Sequence, residues 1–100
     1  MKNYLTVDVG GTAIKYALMS EEAEILEKGE VPTPMEGLEV YLDTLTSLYK
    51  KYEGRVEAFV MSAPGRIDSK TGYFFTSGAL KYVDETDLGA LMKERISVPF

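Results

Sequence analysis

The chain opens on two β-type segments parted by glycine. Residues Tyr4 to Val9 alternate apolar and polar side chains, Gly10-Gly11 interrupts, and Ile14 to Met19 resume an apolar run, which predicts a β-hairpin. A third strand is expected over about Glu24 to Thr33, between the polar Ser20-Glu21-Glu22 and Pro32-Thr33-Pro34, because proline removes a ladder donor. From Gly37 to Tyr52 the apolar positions are Leu38, Tyr41, Leu42, Leu45, Leu48, Tyr49 and Tyr52, the stripe of an amphipathic helix. Lys50 and Lys51 suit the negative end of its dipole, and Gly54 supplies a stop near Glu53. Val56 to Ser62 encloses the unbroken apolar run Ala58-Phe59-Val60-Met61, expected as a central strand covered on both faces and parallel to the first. A helix between them makes an α/β crossover, and the strand order 3-2-1-4 follows.

Further along, Asp68-Ser69-Lys70-Thr71-Gly72 has a turn composition between Arg66-Ile67 and Tyr73-Phe74-Phe75, which predicts a small hairpin with Asp68 capping its turn. Its aromatic residues read as core or interface. Thr86 or Asp87 can cap a second helix carrying Leu88, Leu91, Met92 and Ile96, with Gly89 costing about 1 kcal/mol of helix propensity. Val98-Pro99-Phe100 reads as the start of another strand. That would leave the sheet with an unfinished edge and the second helix with little to pack on. A single lobe spanning 1–100, cut at the start of that strand, is expected.

Composition narrows the function classes. One hundred residues with 45% hydrophobic and 27% charged content fit one globular core, too small to enclose a large substrate cavity alone. The net charge of -5, with no basic run longer than Lys50-Lys51, argues against nucleic acid as a partner. The absence of Cys and His excludes disulfides, thiolate or imidazole metal sites and a His-dependent triad, so metal chemistry must run through oxygen ligands. Asp8 falls where a signal peptide needs its apolar stretch and no long apolar run follows, so a cytoplasmic protein without a membrane partner is expected.

Candidate chemistry gathers in Asp8-Val9-Gly10-Gly11-Thr12. The glycines let backbone N–H groups approach phosphate oxygens, Thr12 adds a donor, and Asp8 can hold hydrated Mg²⁺. No Gly-x-x-x-x-Gly-Lys-Ser/Thr loop occurs, and the turn leads into a strand rather than a helix. The alternative is a hairpin whose glycines merely satisfy positive φ, flanked by ordinary polar residues, with Lys15 an ordinary exposed strand lysine.

Asp8-Val9-Gly10-Gly11-Thr12-Ala13-Ile14-Lys15 resembles the first phosphate motif of the sugar kinases related to actin and the heat-shock ATPases, specifically of the ROK family (repressor, open reading frame, kinase). Ala63-Pro64-Gly65-Arg66-Ile67-Asp68 with Thr71-Gly72 is similar to that family's segment after its fourth strand, at matching spacing. The resemblance covers essentially the whole chain. It implies an α/β, ribonuclease H-like (actin-like ATPase) N-terminal lobe with a mixed sheet in the order β-β-β-α-β-hairpin-α. It also implies ATP-dependent phosphorylation of a hexose or hexose-derivative hydroxyl, with ATP and Mg²⁺ as cofactors, and a homo-oligomer is expected.

Carried over by position, Gly10, Gly11, Thr12 and Lys15 would bind the ATP phosphates, Asp8 would hold Mg²⁺ through water, and Gly65 and Ser77 would line the sugar cleft. The family's catalytic Asp is expected beyond residue 100, so the 100-residue chain alone should be inactive. Ser77-Gly78-Ala79-Leu80 stands where glucokinase-like members show Pro-Asn-Leu, and Ala79 cannot hydrogen-bond sugar hydroxyls as Asn would. A β-glucoside or other modified hexose is therefore open as substrate. Ala13, where Lys or Asn is frequent, removes a polar contact but leaves the backbone cradle. Two other readings are a ROK-type sugar-sensing regulator, whose relatives carry a DNA-binding segment ahead of the lobe, and a stand-alone module that self-associates through its sheet edge.

Overall fold

Period-two alternation places Leu5, Val7 and Val9 on one side of the first strand and Thr6 and Asp8 on the other, and the fold is built on that division. The computed structural model describes residues 2–63, 65–68, 70–76 and 80–98. Strands β1 (Asn3–Val9), β2 (Ala13–Ser20) and β3 (Ile25–Pro32) form an antiparallel meander. Helix α1 (Leu38–Lys51) then crosses to β4 (Ala58–Ser62), which pairs parallel with β1. The order β3-β2-β1-β4 is the one the sequence predicts.

Register stacks the core. Leu5 stands opposite Leu18 on β2 and Phe59 on β4, and all three are buried against the Tyr41, Leu42, Leu45, Leu48 and Tyr49 stripe of α1. Each such side chain, fully buried, contributes about 1.5–3 kcal/mol to holding α1 on the sheet.

Two expectations for this sheet are corrected. Strand β4 begins at Ala58 rather than Val56 and stands at the sheet edge. Among the described residues only one of its faces is covered, for Phe59 is buried while Val60 is 53% exposed. A run of consecutive apolar residues does not reveal which face a helix covers, and α1 lies on the Phe59 side.

The second half forms a separate small sheet. Strands β5 (Ile67–Asp68) and β6 (Tyr73–Phe74) make the expected hairpin, with Asp68 Oδ1 accepting from the Lys70 N–H at 2.9 Å. A third strand, β7 (Thr86–Asp87), pairs with β6, and a 3-10 turn over Lys81–Val83 precedes it. Neither was expected, since two or three residues carry no periodicity to read. Helix α2 (Leu88–Lys93) starts from Asp87, whose side chain accepts from the Ala90 N–H at 3.0 Å.

Helix α2 does not lack a surface to pack on. Leu88 and Met92 are fully buried, and the helix contacts both α1 and β6. Beyond it, Ser97 Oγ lies 2.8 Å from Tyr49 Oη, and Arg95 donates to Asp43 at 2.9 Å and Glu39 at 3.3 Å. Gly89 is there for proximity: a Cβ would run into the carbonyl oxygen of Thr71, and its N–H donates to Gly72 O at 3.2 Å. As for the strand expected from Val98, that residue sits in a bend, while Pro99 and Phe100 lie outside the described residues. No helix of the described residues is long and apolar enough to cross a membrane.

Candidate functional site

The parallel strands β1 and β4 end on the same side of the sheet, the position at which open α/β sheets take their ligands. Asp8 stands in register with Ser62 on β4 and Lys15 on β2, and Lys15 stands in register with Glu30 on β3. Because Val7 and Val9 point into the core, these four side chains share the opposite face and all are exposed. They form a polar row across the sheet, bordering a groove of about 670 Å³ that Ala17 and Val60 floor with apolar surface. Among the described residues neither Asp8 nor Lys15 is held in an ion pair.

The turn from β1 to β2 begins one residue further on. The Gly10 N–H donates to Ala13 O at 2.9 Å and closes it. Gly11 and Thr12 are exposed, and their N–H groups find no acceptor among the described residues. Neither Gly10 nor Gly11 lies in the left-handed region, so positive φ does not explain the glycine pair. What Gly10 supplies is space, since a Cβ there would approach Ala13 O to 3.0 Å. Thr33, just past β3, donates its N–H to Thr12 O at 3.0 Å and its hydroxyl to Gly10 O at 2.8 Å.

The structure thus brings Asp8, Gly10, Gly11, Thr12 and Lys15 together. Gly65 follows Ser62 by three residues and is exposed in a bend at φ 110°. Ser77, the other expected sugar contact, lies outside the described residues, as do Gly78 and Ala79. Of the aromatic triplet, Phe74 is core, and Phe75 is half-exposed with the Arg66 guanidinium 5.4 Å from its ring centroid.

Ser62, Glu30 and Thr33 were not singled out from the sequence. Ser62 left a faint signal, a polar residue ending an apolar strand where ligands gather. Glu30 reads as an ordinary exposed strand position, and Thr33 between two prolines reads only as a stop.

Asp8 suits hydrated magnesium as a solitary carboxylate. Mg²⁺ keeps several waters and binds through one or two carboxylates plus substrate phosphates, and the described residues hold no cluster of three acidic side chains that would cage it. Behind the turn, the Tyr82 hydroxyl donates to Pro34 O at 2.7 Å, and burial with the nearby Glu36 charge raises its pKa. Burial likewise raises the Tyr41 phenol well above its ordinary value, with Tyr82 adding to the effect.

A meander, a helical crossover and a parallel fourth strand, with an acid and a glycine turn closing the first, define an α/β lobe of the actin-like ATPase class. Residues 4–100 match the ROK family model, and the chain belongs to that family. It is 35% identical over 72 residues to an N-acetyl-D-glucosamine kinase of Vibrio atlanticus, covering 69% of this chain and 24% of the relative. Against a glucokinase of Halalkalibacterium halodurans it is 32% identical over 80 residues, covering 72% and 24%. The crystal structure of a ROK family glucokinase from Streptomyces griseus in complex with glucose and AMPPNP superposes with a TM-score of 0.85 at 27% identity, covering 97% of this chain and 31% of that one. The chain spans about a quarter of the length of the curated relatives it matches.

Proposed function

We propose that the full-length protein containing this chain is an ATP-dependent kinase of a hexose or hexose derivative, and that this lobe holds the nucleotide's phosphates. The observation that carries the reading is the pair of N–H groups at Gly11 and Thr12, without an acceptor among the described residues, near an Asp8 carboxylate that makes no ion pair among them. Backbone donors hold an anion without a side chain's entropy cost, and Lys15 on the neighbouring strand adds positive charge to the face that carries Asp8. Asp8 would hold Mg²⁺ through water, and the ion supplies neutralisation of the phosphate charge when bound.

The division of labour follows from what the chain carries. Phosphoryl transfer is mostly positioning and electrostatic stabilisation, which a rigid hairpin can supply, whereas proton removal from the sugar hydroxyl needs a base assigned to the segment beyond residue 100. Gly65 and Ser77 are assigned to the sugar side. The relatives named as N-acetyl-D-glucosamine kinase and glucokinase support an acetamido or plain hexose as acceptor.

The test is release of ADP by the full-length protein given Mg-ATP and a panel of glucose, N-acetylglucosamine, mannose and a β-glucoside. Turnover with at least one hexose is expected, and Asp8→Ala should lower kcat/KM by about a hundredfold or more. No ADP release with any of the sugars, or an Asp8→Ala variant at full rate, would overturn the reading.

A further inference from the structure

Thr33 occupies an unusual place in the hairpin. Pro32, the last residue of β3, stands opposite Ala13 in a pair that exchanges no ladder bond, so its missing N–H costs nothing there. Thr33 holds the next ladder position and makes two bonds, through its N–H to Thr12 O and its hydroxyl to Gly10 O. The bonds grip the turn on both sides of Gly11. Thr33 is only 5% exposed although the turn it holds is open to solvent.

The neighbours of Thr33 make it stiff. Pro34 restricts the residue before it to extended backbone, and Pro32 has its own φ fixed. Pro34 is buried and its carbonyl accepts from the Tyr82 hydroxyl at 2.7 Å, while the Tyr82 ring packs edge-on against buried Tyr41 with centroids 5.5 Å apart. A rigid strap thus runs from the core through Tyr82 and Pro34 to Thr33 and the turn.

Resting on the reading of this turn as the phosphate cradle, we propose that Thr33 is a positioning residue that sets the Gly11 and Thr12 amides for the nucleotide's phosphates. With the Gly10 and Thr12 carbonyls held back toward Thr33, the free N–H groups between them stay directed outward before nucleotide arrives. Donors aligned in advance cost no reorganisation on binding. Thr33 itself touches no ligand and acts through the backbone of the turn.

The experiment compares the full-length protein with Thr33→Val and Thr33→Ser. Valine keeps the shape and the backbone N–H but removes the hydroxyl donor, whereas serine restores the donor. In Thr33→Val, KM for ATP should rise about fivefold while KM for the hexose stays within about twofold, the size expected for one lost hydrogen bond. Thr33→Ser should recover wild-type KM for ATP. Amide hydrogen exchange at Gly10 gives a readout that needs no nucleotide, and it should quicken about fivefold in Thr33→Val alone. An unchanged KM for ATP with unchanged Gly10 protection overturns the proposal, as does a parallel rise in both KM values or a serine variant as impaired as valine. Should the wild-type protein use no ATP, the kinase reading falls by itself. Gly10 exchange then decides whether Thr33 holds the turn, with quickening only in valine supporting the clamp and no change overturning it.

Discussion

Tyr41 buries its phenol completely, and its Oη has no hydrogen-bond partner among the described residues. A hydroxyl taken out of water without a partner costs about 1–3 kcal/mol, so Tyr41→Phe should stabilise the fold by about 1 kcal/mol in urea unfolding. The same burial gives a pH signature. A phenol whose pKa is raised in the fold holds its proton more tightly there than in the unfolded chain. The linked stability is complete below the ordinary value of 10.0 and is lost as pH rises from there toward the folded value. Wild-type stability should therefore fall above about pH 10, and Tyr41→Phe should make that fall shallower. It will not abolish it, because the Tyr52 and Tyr82 phenols are raised in the same direction. At this scale the site was half legible: Asp8, Gly10, Gly11, Thr12 and Lys15 are contiguous, so one stretch of sequence displays them. Ser62, Glu30 and Thr33 reach the same place only through register.

Among the elements, α1 was readable because its fourteen residues repeat an apolar stripe often enough to exclude other periods. Strand β7 and the 3-10 turn were not readable, being held by partners rather than by local preference. Gly89 shows the two influences opposed. Propensity alone favours Ala over Gly in a helix by about 1 kcal/mol. The added Cβ, however, meets the Thr71 carbonyl, which is backbone and cannot swing aside as a side chain would. Overpacking of this kind typically costs about 1–3 kcal/mol, so Gly89→Ala should lower the urea midpoint despite the propensity gain. A raised midpoint would show that the β5–β6 turn yields to α2.

For the whole molecule, the decisive feature is that one sheet face is packed and the other open. On the open side and at the sheet margin Val60 is 53%, Ile25 57% and Leu26 44% exposed, and β4 leaves an edge unpaired among the described residues. The 100-residue chain by itself should accordingly self-associate, with a sedimentation coefficient that rises over the micromolar range. Val60→Lys should weaken that association, because a charge on an edge strand opposes docking of another strand or apolar face. A strictly monomeric wild-type chain at high concentration would count against this.

What the sequence determined by itself was local and periodic: the meander, the α1 stripe, the strand order and the acid-glycine turn. Each is encoded within a few consecutive residues or a repeating pattern, and local sterics with burial suffice to realise it. The tertiary structure alone decided the alignment of Ser62, Asp8, Lys15 and Glu30, the exposed face of β4, the support of α2 and the grip of Thr33 on the turn. The polar row depends on which residues stand opposite one another across strands, and a one-residue shift of a strand's register would move its member to the other face. The rest depend on which elements pack or bond together across long separations in sequence, which no local pattern records.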